Sequence, residues 1–562
     1  MKSSCGGDPS YLPPRKELAG EFHRFVAALN RVNGGLLWWA GPLASKNPFD
    51  SSLYESLARY TALVVQLAKR TGGSSRPRIA GGDPFLSGDL RTACRELGLD
   101  CGFERGDRLE GLRQDLRGII YSVYFIFINI YKKILIRACL GRSLDRVLGG
   151  PTPVYLIRSW IDHRSFDPQG KYTDAYFGNL PVYLADSQRV VVVAGIVWTY
   201  PYLVALKKIR AQYPGVTLVP QEYFFTVPDI IRAALLPFSG GRGLSGEALF
   251  FGHDVKKTVL RAIRADRASL QIRHNLAVYY ITRRLAEKLT VTRFTYSFEN
   301  HAFEKMMILA LRERSPETRI TGYQHGGISR MLLSYFLAEG EAASVPLPDG
   351  ILTTGEEPRR VLAGEGHYPE SVVEAGCALR YEYLQGLAVR SRGKGGSLFV
   401  PLPVDIEAAR AVLDIVIRTV GDRPDYTVKI KNHPLVPRQA VLGDEEGRDL
   451  PPNISWDLGQ STRDLLLGSD TVLYTQTTTC LEALMLGIPV VYLDIFTMYD
   501  ADFILKDIPF RWVAGDPDSL GRVLSEIRGL GDEEFTARQG QGVAYARSFF
   551  APVDEASLEK FR

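Results

Sequence analysis

This sequence has few cysteines, little net charge and no secretory signal. Its 562 residues include six cysteines without a CxxC pair, which disfavours a zinc ribbon and favours a reducing compartment. The net charge of +5 is too small to indicate a nucleic-acid partner. The N-terminal residues lack the apolar run of a secretory signal, so we expect a cytoplasmic protein.

Several catalytic motifs are also absent. The chain has no GxxxxGK[ST], HExxH or GxSxG, which disfavours P-loop, zinc-protease and α/β-hydrolase chemistry. No GxGxxG follows a first strand, which disfavours a nicotinamide cofactor. No DxD pair stands where a metal-bound sugar nucleotide would need it. We therefore expect an activity that uses neither a cofactor nor a metal ion.

One apolar and aromatic run needs an explanation. Residues 118–131 read GIIYSVYFIFINIY, and Lys132 and Lys133 follow them. A membrane-spanning helix needs about 20 such residues, so this run is short for a span. Two interpretations stay open. The run is either a helix buried in protein or, over 118–137, an interfacial helix that holds the protein against an anionic membrane at its inner face.

Strand-like and helix-like runs alternate along most of the chain, which predicts parallel sheets covered by helices on both faces. The strand-like runs are 36–40, 154–160, 190–194, 216–219, 294–298, 320–323, 350–353, 398–401, 426–431, 454–456, 472–474 and 490–492. Helix-like runs include 52–69, 255–288 and 301–314. The Gly-rich segment 390–397 (RSRGKGGS) divides the series in two, as linkers do.

The predicted fold class is therefore α/β, with two tandem Rossmann-like, doubly wound domains. We expect the first over residues 1–389 and the second over 397–562, with a terminal helix crossing back to the first. In such domains ligands bind outside the carboxyl ends of the strands, so a cleft between the two sheets should hold the site.

The most informative segment is 469–493, which reads SDTVLYTQTTTCLEALMLGIPVVYL. It predicts a strand, a hydroxyl-rich turn, an amphipathic helix that ends at Gly487, and a second strand. Backbone N–H groups and hydroxyls in the turn would cradle a phosphate, and Glu482 would reach a ribose. The alternative is that the threonines only cap the helix. The turn residues are Gln476, Thr477, Thr478 and Thr479.

A second candidate segment, KIKNHP over 429–434, ends another predicted strand. Pro434 fixes the backbone after His433, which would hold the imidazole at the strand edge, facing the cleft. Lys431 adds positive charge for a phosphate. A histidine with only a structural role is the alternative.

Polar residues also follow three predicted strands of the first half. QHGG, residues 324–327, places His325 next to Gly326 and Gly327, whose small size lets the backbone approach a ligand. FENHAFEK, residues 298–305, places Glu299 at a strand end, where a carboxylate suits proton transfer. In the same segment Asn300 is a candidate helix N-cap.

The third group, SWIDHRSF over 159–166, contains Asp162 and Arg164. Polar residues among aromatic ones suit a sugar-binding site, and they equally suit a salt-bridged loop. We expect the catalytic group among Glu299, His325 and Asp162. Arg164, Gln324, Gly326 and Gly327 are the expected substrate-binding residues.

The HP element at 433–434 and the TQTTTCLEALMLGIPVV segment resemble those of GT-B-fold bacterial glycosyltransferases that use CMP-sugars, namely the Kdo and sialic-acid-type transferases. They also resemble CDP-glycerol polymerases. The segments ENHAFEK and GYQHG are similar to those of a group of bacterial surface-carbohydrate biosynthesis proteins. The resemblance is clearest over about residues 290–495.

The resemblance implies that Lys431, His433, Pro434 and the turn 476–479 bind the CMP part of a donor, and that Glu482 binds its ribose. It implies transfer of a 3-deoxy-2-ulosonic sugar (Kdo or a nonulosonic acid) to a glycan or a lipid-linked glycan. The acidic-acidic-Gly motif of sialyltransferase-like families has no good match: Asp349 lacks the paired acid, and Gly355, Glu356 and Glu357 stand in the wrong order. A retaining transferase therefore fits at least as well as an inverting one.

Three alternatives stay open at this point. One is a CDP-glycerol or CDP-ribitol phosphotransferase, which would use His433 and His325 near phosphate. A second is a UDP-sugar 2-epimerase, and a third is a non-catalytic scaffold in a glycan-assembly complex. Nucleotide preference would separate them.

Overall fold

Two parallel sheets, one in each half of the chain, form the framework of the computed structural model. The structure describes residues 9–69, 78–79, 84–99, 102–103, 109–150, 152–212, 217–239, 243–393, 396–443, 450–457 and 459–562. Residue 216 of the predicted strand 216–219, and residues 394 and 395 of the predicted linker, lie outside these ranges.

The strands are β1 (Arg78–Ile79), β2 (Gly102–Phe103), β3 (Val154–Ile161), β4 (Val190–Ile196), β5 (Thr217–Pro220), β6 (Leu249–Phe250), β7 (His253–Asp254), β8 (Val291–Ser297), β9 (Arg319–Tyr323), β10 (Gly350–Thr353), β11 (Val373–Ala375), β12 (Ser397–Pro401), β13 (Thr427–Lys431), β14 (Ile454–Trp456), β15 (Thr471–Tyr474), β16 (Val490–Leu493) and β17 (Arg511–Ala514).

The α-helices are α1 (Arg15–Val32), α2 (Leu36–Ala40), α3 (Leu53–Lys69), α4 (Pro84–Glu96), α5 (Glu110–Leu148), α6 (Leu180–Ala185), α7 (Tyr202–Ala211), α8 (Val227–Ser239), α9 (Lys256–Ala268), α10 (Leu270–Lys288), α11 (Ala302–Arg314), α12 (Glu356–Ala363), α13 (Ile406–Val420), α14 (Arg438–Leu442), α15 (Thr462–Leu467), α16 (Thr479–Met485), α17 (Pro517–Gly529), α18 (Asp532–Phe549) and α19 (Glu555–Glu559). Short 3₁₀ helices lie at Pro9–Tyr11, Pro42–Ser45, Gln221–Phe224, Leu333–Tyr335, Glu341–Ala343 and Leu379–Leu384.

Both large sheets are doubly wound. The second sheet has the order β14-β13-β12-β15-β16-β17, all parallel, which is the order 3-2-1-4-5-6 of dinucleotide-binding folds. The first sheet, β11-β10-β9-β8-β3-β4-β5, repeats that order and adds a seventh strand. The predicted fold class, two tandem Rossmann-like units, is therefore confirmed. The domain boundaries 1–389 and 397–562 stay a prediction.

Near-continuous apolar strands explain why both sheets are buried on two faces. Residues 190–194 (VVVVA) and 398–401 (LFVP) are buried throughout. One buried cluster surrounds the first sheet, a second surrounds the second, and a third joins the N-terminal helices to the segment 496–501.

The chain end returns to the first sheet, as expected from the sequence. Phe561 is buried, its ring packs edge-on against Tyr323, and its carbonyl accepts the hydroxyl of Tyr155 at 2.7 Å. Upstream, the amide of Ala378 donates to the carbonyl of Ala551 at 3.0 Å. The final thirteen residues therefore pack with the first half of the chain.

The prediction of a strand at 36–40 is wrong. LLWWA forms helix α2 between Gly35, at φ +93°, and Gly41. A run of five apolar residues shows no period that separates strand from helix. Tertiary packing decides here: Trp39 and Ala40 are buried, and the Ala40 carbonyl accepts a hydrogen bond from the side-chain amide of Asn275 at 2.8 Å.

The predicted helix 255–288 is two helices. Ser269 ends α9 and caps α10, because its hydroxyl accepts the Ile272 amide at 3.2 Å. By length and composition, one helical segment among the described residues, Glu110–Gly141 of α5, could cross a membrane. Only 22% of its most apolar window is buried.

Candidate active site

The predicted site residues lie at the edges where the topology expects ligands. In each sheet the strand order reverses between two neighbouring strands, β3 and β8 in the first sheet and β12 and β15 in the second. Asp162 follows β3 and Glu299 follows β8. The threonine turn, residues 475–479, follows β15, and His433 follows β13. Asp162, Glu299 and the threonine turn therefore stand at the two topological switch points, and His433 stands one strand away from the second.

The two halves of the site touch each other. A Cβ atom added to Gly327 would lie 2.5 Å from the Thr478 Cγ2 atom and 2.5 Å from a ring carbon of Phe503. A Cβ added to Gly326 would meet nothing within 4 Å. The loop after β9 thus contacts the threonine turn through Gly327 and opens toward free space at Gly326. One cleft joins the residues of both sheets.

A carboxylate stands between two imidazoles in this cleft. Glu299 Oε2 lies 3.4 Å from His301 Nδ1, and Glu299 Oε1 lies 3.9 Å from His325 Nε2. The side chain of Glu299 is 39% exposed, whereas His325 is buried. Carboxylate and imidazole together are the usual parts of a proton-transfer site. The sequence pattern identified Glu299 and His325 but did not single out His301.

His325 is held as a neutral ring. Burial lowers its pKa to about 4, although the Glu299 carboxylate acts in the opposite direction. The guanidinium charges of Arg380 and Arg164 lower it further. Its Nδ1 atom is buried and has no hydrogen-bond partner in the described structure, and Tyr176 packs edge-on at 5.0 Å. A ligand atom would satisfy this nitrogen.

The turn after β8 is braced by a buried acid. Glu304 accepts the backbone amides of Glu299 at 3.0 Å and Asn300 at 2.8 Å. Asn300 has φ +58°, and its side chain donates to the Ser334 carbonyl at 2.9 Å. The prediction of Asn300 as N-cap is therefore wrong: His301 occupies the cap position, and Glu304 satisfies the free amides.

Asp162 and Arg164 form a close ion pair. Arg164 Nη2 lies 2.6 Å from Asp162 Oδ2, and the Arg164 amide donates to Oδ1 at 2.8 Å. Burial acts to raise the pKa of Asp162, but the hydrogen bonds and charge of Arg164 win and leave it below its usual value. Arg164 also faces the Tyr176 ring at 5.5 Å. In this arrangement Asp162 orients Arg164.

His433 faces the first half of the chain. Its Nδ1 accepts the Leu435 amide at 3.2 Å, which leaves the proton of the neutral ring on Nε2. Burial lowers the pKa of His433, and the positive charge of Arg164 lowers it further. The effect of Arg164 on His433 shows that the HP element lies near the Asp162–Arg164 pair. Pro434 is exposed beside it.

The threonine turn has unused polar atoms. Gln476 has φ +47°, and its Oε1 and the Thr475 hydroxyl are buried without partners in the described structure. The Thr477 and Thr479 hydroxyls lie 3.1 Å apart, and Thr478 occupies the N-cap position without a side-chain cap bond. Since α16 has seven residues, side chains rather than a long helix dipole would have to hold an anion here.

Three predicted ligand residues already have protein partners. Glu482 is buried and accepts the Tyr383 hydroxyl. Burial raises its pKa, which the Tyr383 bond and the charge of Arg380 oppose. Lys431 donates to the Gln460 carbonyl. Gln324 is fully buried, accepts the Thr354 amide at 3.1 Å and donates to the Gly326 carbonyl, so it supports the loop, and its substrate-binding role stays a prediction.

Arg380 is the residue that sequence reasoning missed. It follows β11 at the same sheet edge, in the 3₁₀ helix Leu379–Leu384, and its guanidinium lies 5.6 Å from the Tyr381 ring centre. It affects the pKa of both His325 and Glu482. Arg380 forms no direct ion pair among the described residues, and Tyr381 and the Glu482 carboxylate raise its pKa. A part-buried guanidinium without a direct ion pair is suited to an anionic ligand.

A cavity of about 420 Å³ lies elsewhere, between α1, the segment 330–339 and the loop 498–500. It contains none of the predicted site residues. Two of its cations are paired, Arg15 with Asp494 and Arg330 with Glu365. The cavity lacks the carboxylate–imidazole group of the cleft, so its volume alone does not make it the active site. Within the described part of the chain no group of His, Cys, Asp and Glu could hold a metal ion, and metal independence stays a prediction.

Comparisons with known proteins give loose structural likenesses. No protein-family model and no curated protein matches the chain. Among solved structures it is similar to the glycosyltransferase of kitacinnamycin, at 13% identity and a TM-score of 0.39 over 74% of this chain and all of the other. It is similar to the calicheamicin glycosyltransferase CalG4, at 12% identity and a TM-score of 0.41 over 74% and 98%.

A third similar structure is the UDP-GlcNAc 2-epimerase of Neisseria meningitidis bound to UDP-GlcNAc, at 10% identity and a TM-score of 0.41 over 71% and 97% of the two chains. Transferases and an epimerase therefore appear at similar scores. At these scores the likenesses decide nothing about the reaction, which has to be argued from the residues of the cleft.

Proposed function

We propose that this protein is a glycosyltransferase that moves a 3-deoxy-2-ulosonic sugar (Kdo or a nonulosonic acid) from a CMP donor to a bacterial surface glycan. The observation that supports it most is the meeting, across one cleft, of an HP and threonine cradle with a carboxylate–histidine group. The resemblance of the HP and threonine segments to CMP-sugar transferases supplies the donor class.

The donor would bind to the second half of the cleft. The Nε2–H of His433 would donate to the phosphate, and the unused polar atoms of the turn 475–479 would complete its hydrogen bonds. Glu482 accepts the Tyr383 hydroxyl, and Tyr383 would in turn contact the ribose. This division leaves the first half of the cleft for the sugar and the acceptor.

Two arginines in the first half suit the charge of this sugar class. An ulosonic sugar carries a carboxylate beside its anomeric carbon, and a guanidinium binds a carboxylate through two parallel hydrogen bonds. Arg164 is oriented by Asp162, and Arg380 forms no direct ion pair among the described residues, although the Glu482 carboxylate raises its pKa. We assign the sugar carboxylate to Arg380 and the donor phosphate to Arg164. The charge of Arg164 lowers the pKa of His433, so Arg164 is near the proposed phosphate ligand His433.

Transfer breaks the bond between the anomeric carbon and the phosphate oxygen and forms a bond from that carbon to an acceptor oxygen. The acceptor hydroxyl loses its proton, and the phosphate leaves as CMP. Glu299, part-exposed and next to two imidazoles, would take the proton. His325, neutral and with a buried free Nδ1, would position the carboxylate or a hydroxyl beside it.

The first test is a thermal-shift titration of the wild type and of His433→Ala with CMP, CDP, UMP and UDP. A ligand that binds the folded state raises its stability by RT ln(1 + [L]/Kd), so a preferred nucleotide shows directly. We expect selectivity for CMP and a loss of at least about tenfold in affinity in the variant. A panel of CMP-sugars then identifies the donor.

Other results would change the proposal. Preference for UDP would favour a UDP-sugar enzyme or an epimerase, and preference for CDP would favour a phosphotransferase. Binding of none of the four nucleotides would contradict a nucleotide-dependent reaction altogether. A CMP-selective protein that neither transfers nor hydrolyses any CMP-sugar would contradict the assigned donor class.

A further inference from the structure

The long helix α5 exposes apolar side chains where a surface helix normally exposes polar ones. Its buried residues, among them Gly118, Ser122, Phe125 and Asn129, recur at helical spacing and form one face. The opposite face is also apolar, and Phe127 on it is 72% exposed. Further exposed members are Leu112, Leu116, Ile120, Val123, Tyr131 and Ile134. We name this row of side chains the α5 stripe.

Neighbouring helices extend the apolar surface. Helix α8 packs on α5, with the Ser122 hydroxyl donating to the Ala234 carbonyl at 2.9 Å. Helix α8 itself exposes Ile231, Leu235 and Phe238, which share one face at i, i+4 and i+7. Contiguous exposed apolar surface of this extent marks an interaction site in a soluble fold.

The protein packing on α5 excludes a spanning helix. Arg273 of α10 donates to the Ser122 hydroxyl and to the Gly118 carbonyl, both at 2.8 Å. The buried face of α5 is thus occupied by helices α8, α9 and α10 of the same chain. Because only one face is free, α5 can lie on a bilayer but cannot cross it.

Charge identifies the occupant of the surface. From 116 to 144 the helix sequence carries five Lys or Arg residues and no Asp or Glu, and the flanking Asp115 and Asp145 pair with Arg264 and Arg137. Arg117, near one end of the stripe, is exposed, and Arg137, near the other end, is 81% exposed despite its pair with Asp145. A two-fold pairing of stripes from two copies would bring these cations together. An anionic bilayer takes both the apolar stripe and the cations.

The stripe lies on the side of the first sheet where the cleft opens. Near its end α5 reaches the start of β4, where Arg189 donates to the Val147 carbonyl. Further back, Lys132 pairs at 2.8 Å with Glu222, directly after β5. Between residues 147 and 132 the helix thus runs from the amino edge to the carboxyl edge of the strands. Residues 110–131 continue beyond the carboxyl edge, on the cleft side.

We propose that the α5 stripe and the exposed face of α8 dock on an anionic membrane surface, with the cleft opening near the bilayer. The docking does not depend on the donor chosen above. If the transfer reaction is as proposed, this placement favours an acceptor that is anchored in lipid over a free oligosaccharide.

The test is co-sedimentation of the full chain with vesicles of phosphatidylcholine alone and of phosphatidylcholine mixed with phosphatidylglycerol. We expect binding to the mixed vesicles that weakens at high salt. Ile120→Ser combined with Phe127→Ser should lower the affinity at least about tenfold, since two exposed apolar side chains lose their contact with the bilayer. Leu116→Ser with Ile134→Ser is a second variant on the same stripe.

The matched control is Leu467→Ser with Val513→Ser, two exposed apolar residues of the second half, which should bind as the wild type does. Thermal unfolding checks that each variant is folded. Two results would overturn the docking: wild type that sediments with neither vesicle, or folded stripe variants that bind unchanged. A wild-type dimer in solution that both stripe variants convert to a monomer would assign the face to a second copy instead. Nucleotide binding is measured separately, so a failure of membrane docking can be told apart from a failure of the proposed CMP donor.

Discussion

At the scale of single residues, Arg380 is a candidate ligand-binding residue that no sequence motif marks, because an arginine in RYEYL reads as an ordinary surface residue. The structure places it near His325 and Glu482, and it forms no direct ion pair among the described residues. Tyr381 and the Glu482 carboxylate raise the pKa of Arg380, so its surroundings favour the charged guanidinium, which suits an anionic ligand.

We expect Arg380→Gln to lower the affinity for an anionic donor by about ten- to a hundredfold, the range for a lost charge-assisted hydrogen bond. Stability should change little or fall slightly, because the folded surroundings raise the pKa of Arg380 and so favour its charge. Arg359→Gln is the matched control, because Arg359 sits on a surface helix and pairs with Glu356 at 2.6 Å. Isothermal titration with the preferred CMP-sugar measures both. Equal affinity in the two variants would remove Arg380 from the site.

His325 makes stability depend on pH in a definite direction. Its pKa is about 4 in the folded chain and 6.5 ordinarily, so between these values the unfolded chain binds a proton that the folded chain does not. Lowering the pH from about 7 to about 5 should therefore cost about 2 kcal/mol of unfolding free energy at this position.

In His325→Gln that part of the pH dependence should disappear, while the part due to His274, whose pKa burial also lowers to about 4, remains. Urea unfolding of wild type and variant at the two pH values gives the difference. An identical pH dependence in both proteins would show that His325 is protonated as freely in the folded chain as in the unfolded one.

At the scale of elements, the loop after β9 offers a comparison of two adjacent glycines. Gly327→Ala would drive a methyl group into Thr478 and Phe503, whereas Gly326→Ala would place it in open space. We expect Gly327→Ala to weaken nucleotide binding and to destabilise the protein by about 1–3 kcal/mol, the usual cost of overpacking. Gly326→Ala should retain stability.

Thermal unfolding with and without nucleotide measures both effects. If Gly327→Ala behaves like Gly326→Ala, the two loops are farther apart in solution than here. A variant that is as stable as the wild type but has lost nucleotide binding would assign Gly327 to the site itself rather than to the contact between the halves.

Elements were predictable from sequence where patterns were long. The strand VVVVA, the helix at 301–314 and the unit around the threonine turn lie where the patterns placed them. The segment 36–40 was predicted wrongly, because five apolar residues fit the spacing of a strand and of a helix equally well. Packing against α10 favours the helix. Strand ends also located Glu299, His325 and His433 in one region. The sequence could not predict the Gly327–Thr478 contact, the Asp162–Arg164 pair or the position of Arg380, because each depends on how the folded chain packs.

At the scale of the whole molecule, the C-terminal segment holds the two halves together. Phe561 is 2% exposed, between Tyr323 and Tyr155 of the first sheet. Phe561→Ala should lower the unfolding free energy by about 3–5 kcal/mol, the usual cost for a buried phenylalanine. Lys560→Ala, which removes a part-exposed pair with Glu374, should cost less than about 1 kcal/mol.

Urea unfolding measures both variants, and nucleotide binding adds a second readout. Since the segment joins the halves, Phe561→Ala should also weaken binding of a ligand that contacts both. A variant as stable as the wild type would show that the chain end only rests on the first sheet.

The polypeptide passes between the two halves twice, once after residue 384 and again near residue 550. The two passages are neighbours: the rings of Tyr381 and Phe550 stack at 4.2 Å, and the Ala378 amide bonds to the Ala551 carbonyl. A single connection would let the halves twist freely, whereas two adjacent connections act as a hinge with one axis. If the cleft opens, we expect a rotation about that axis that separates Gly327 from Thr478.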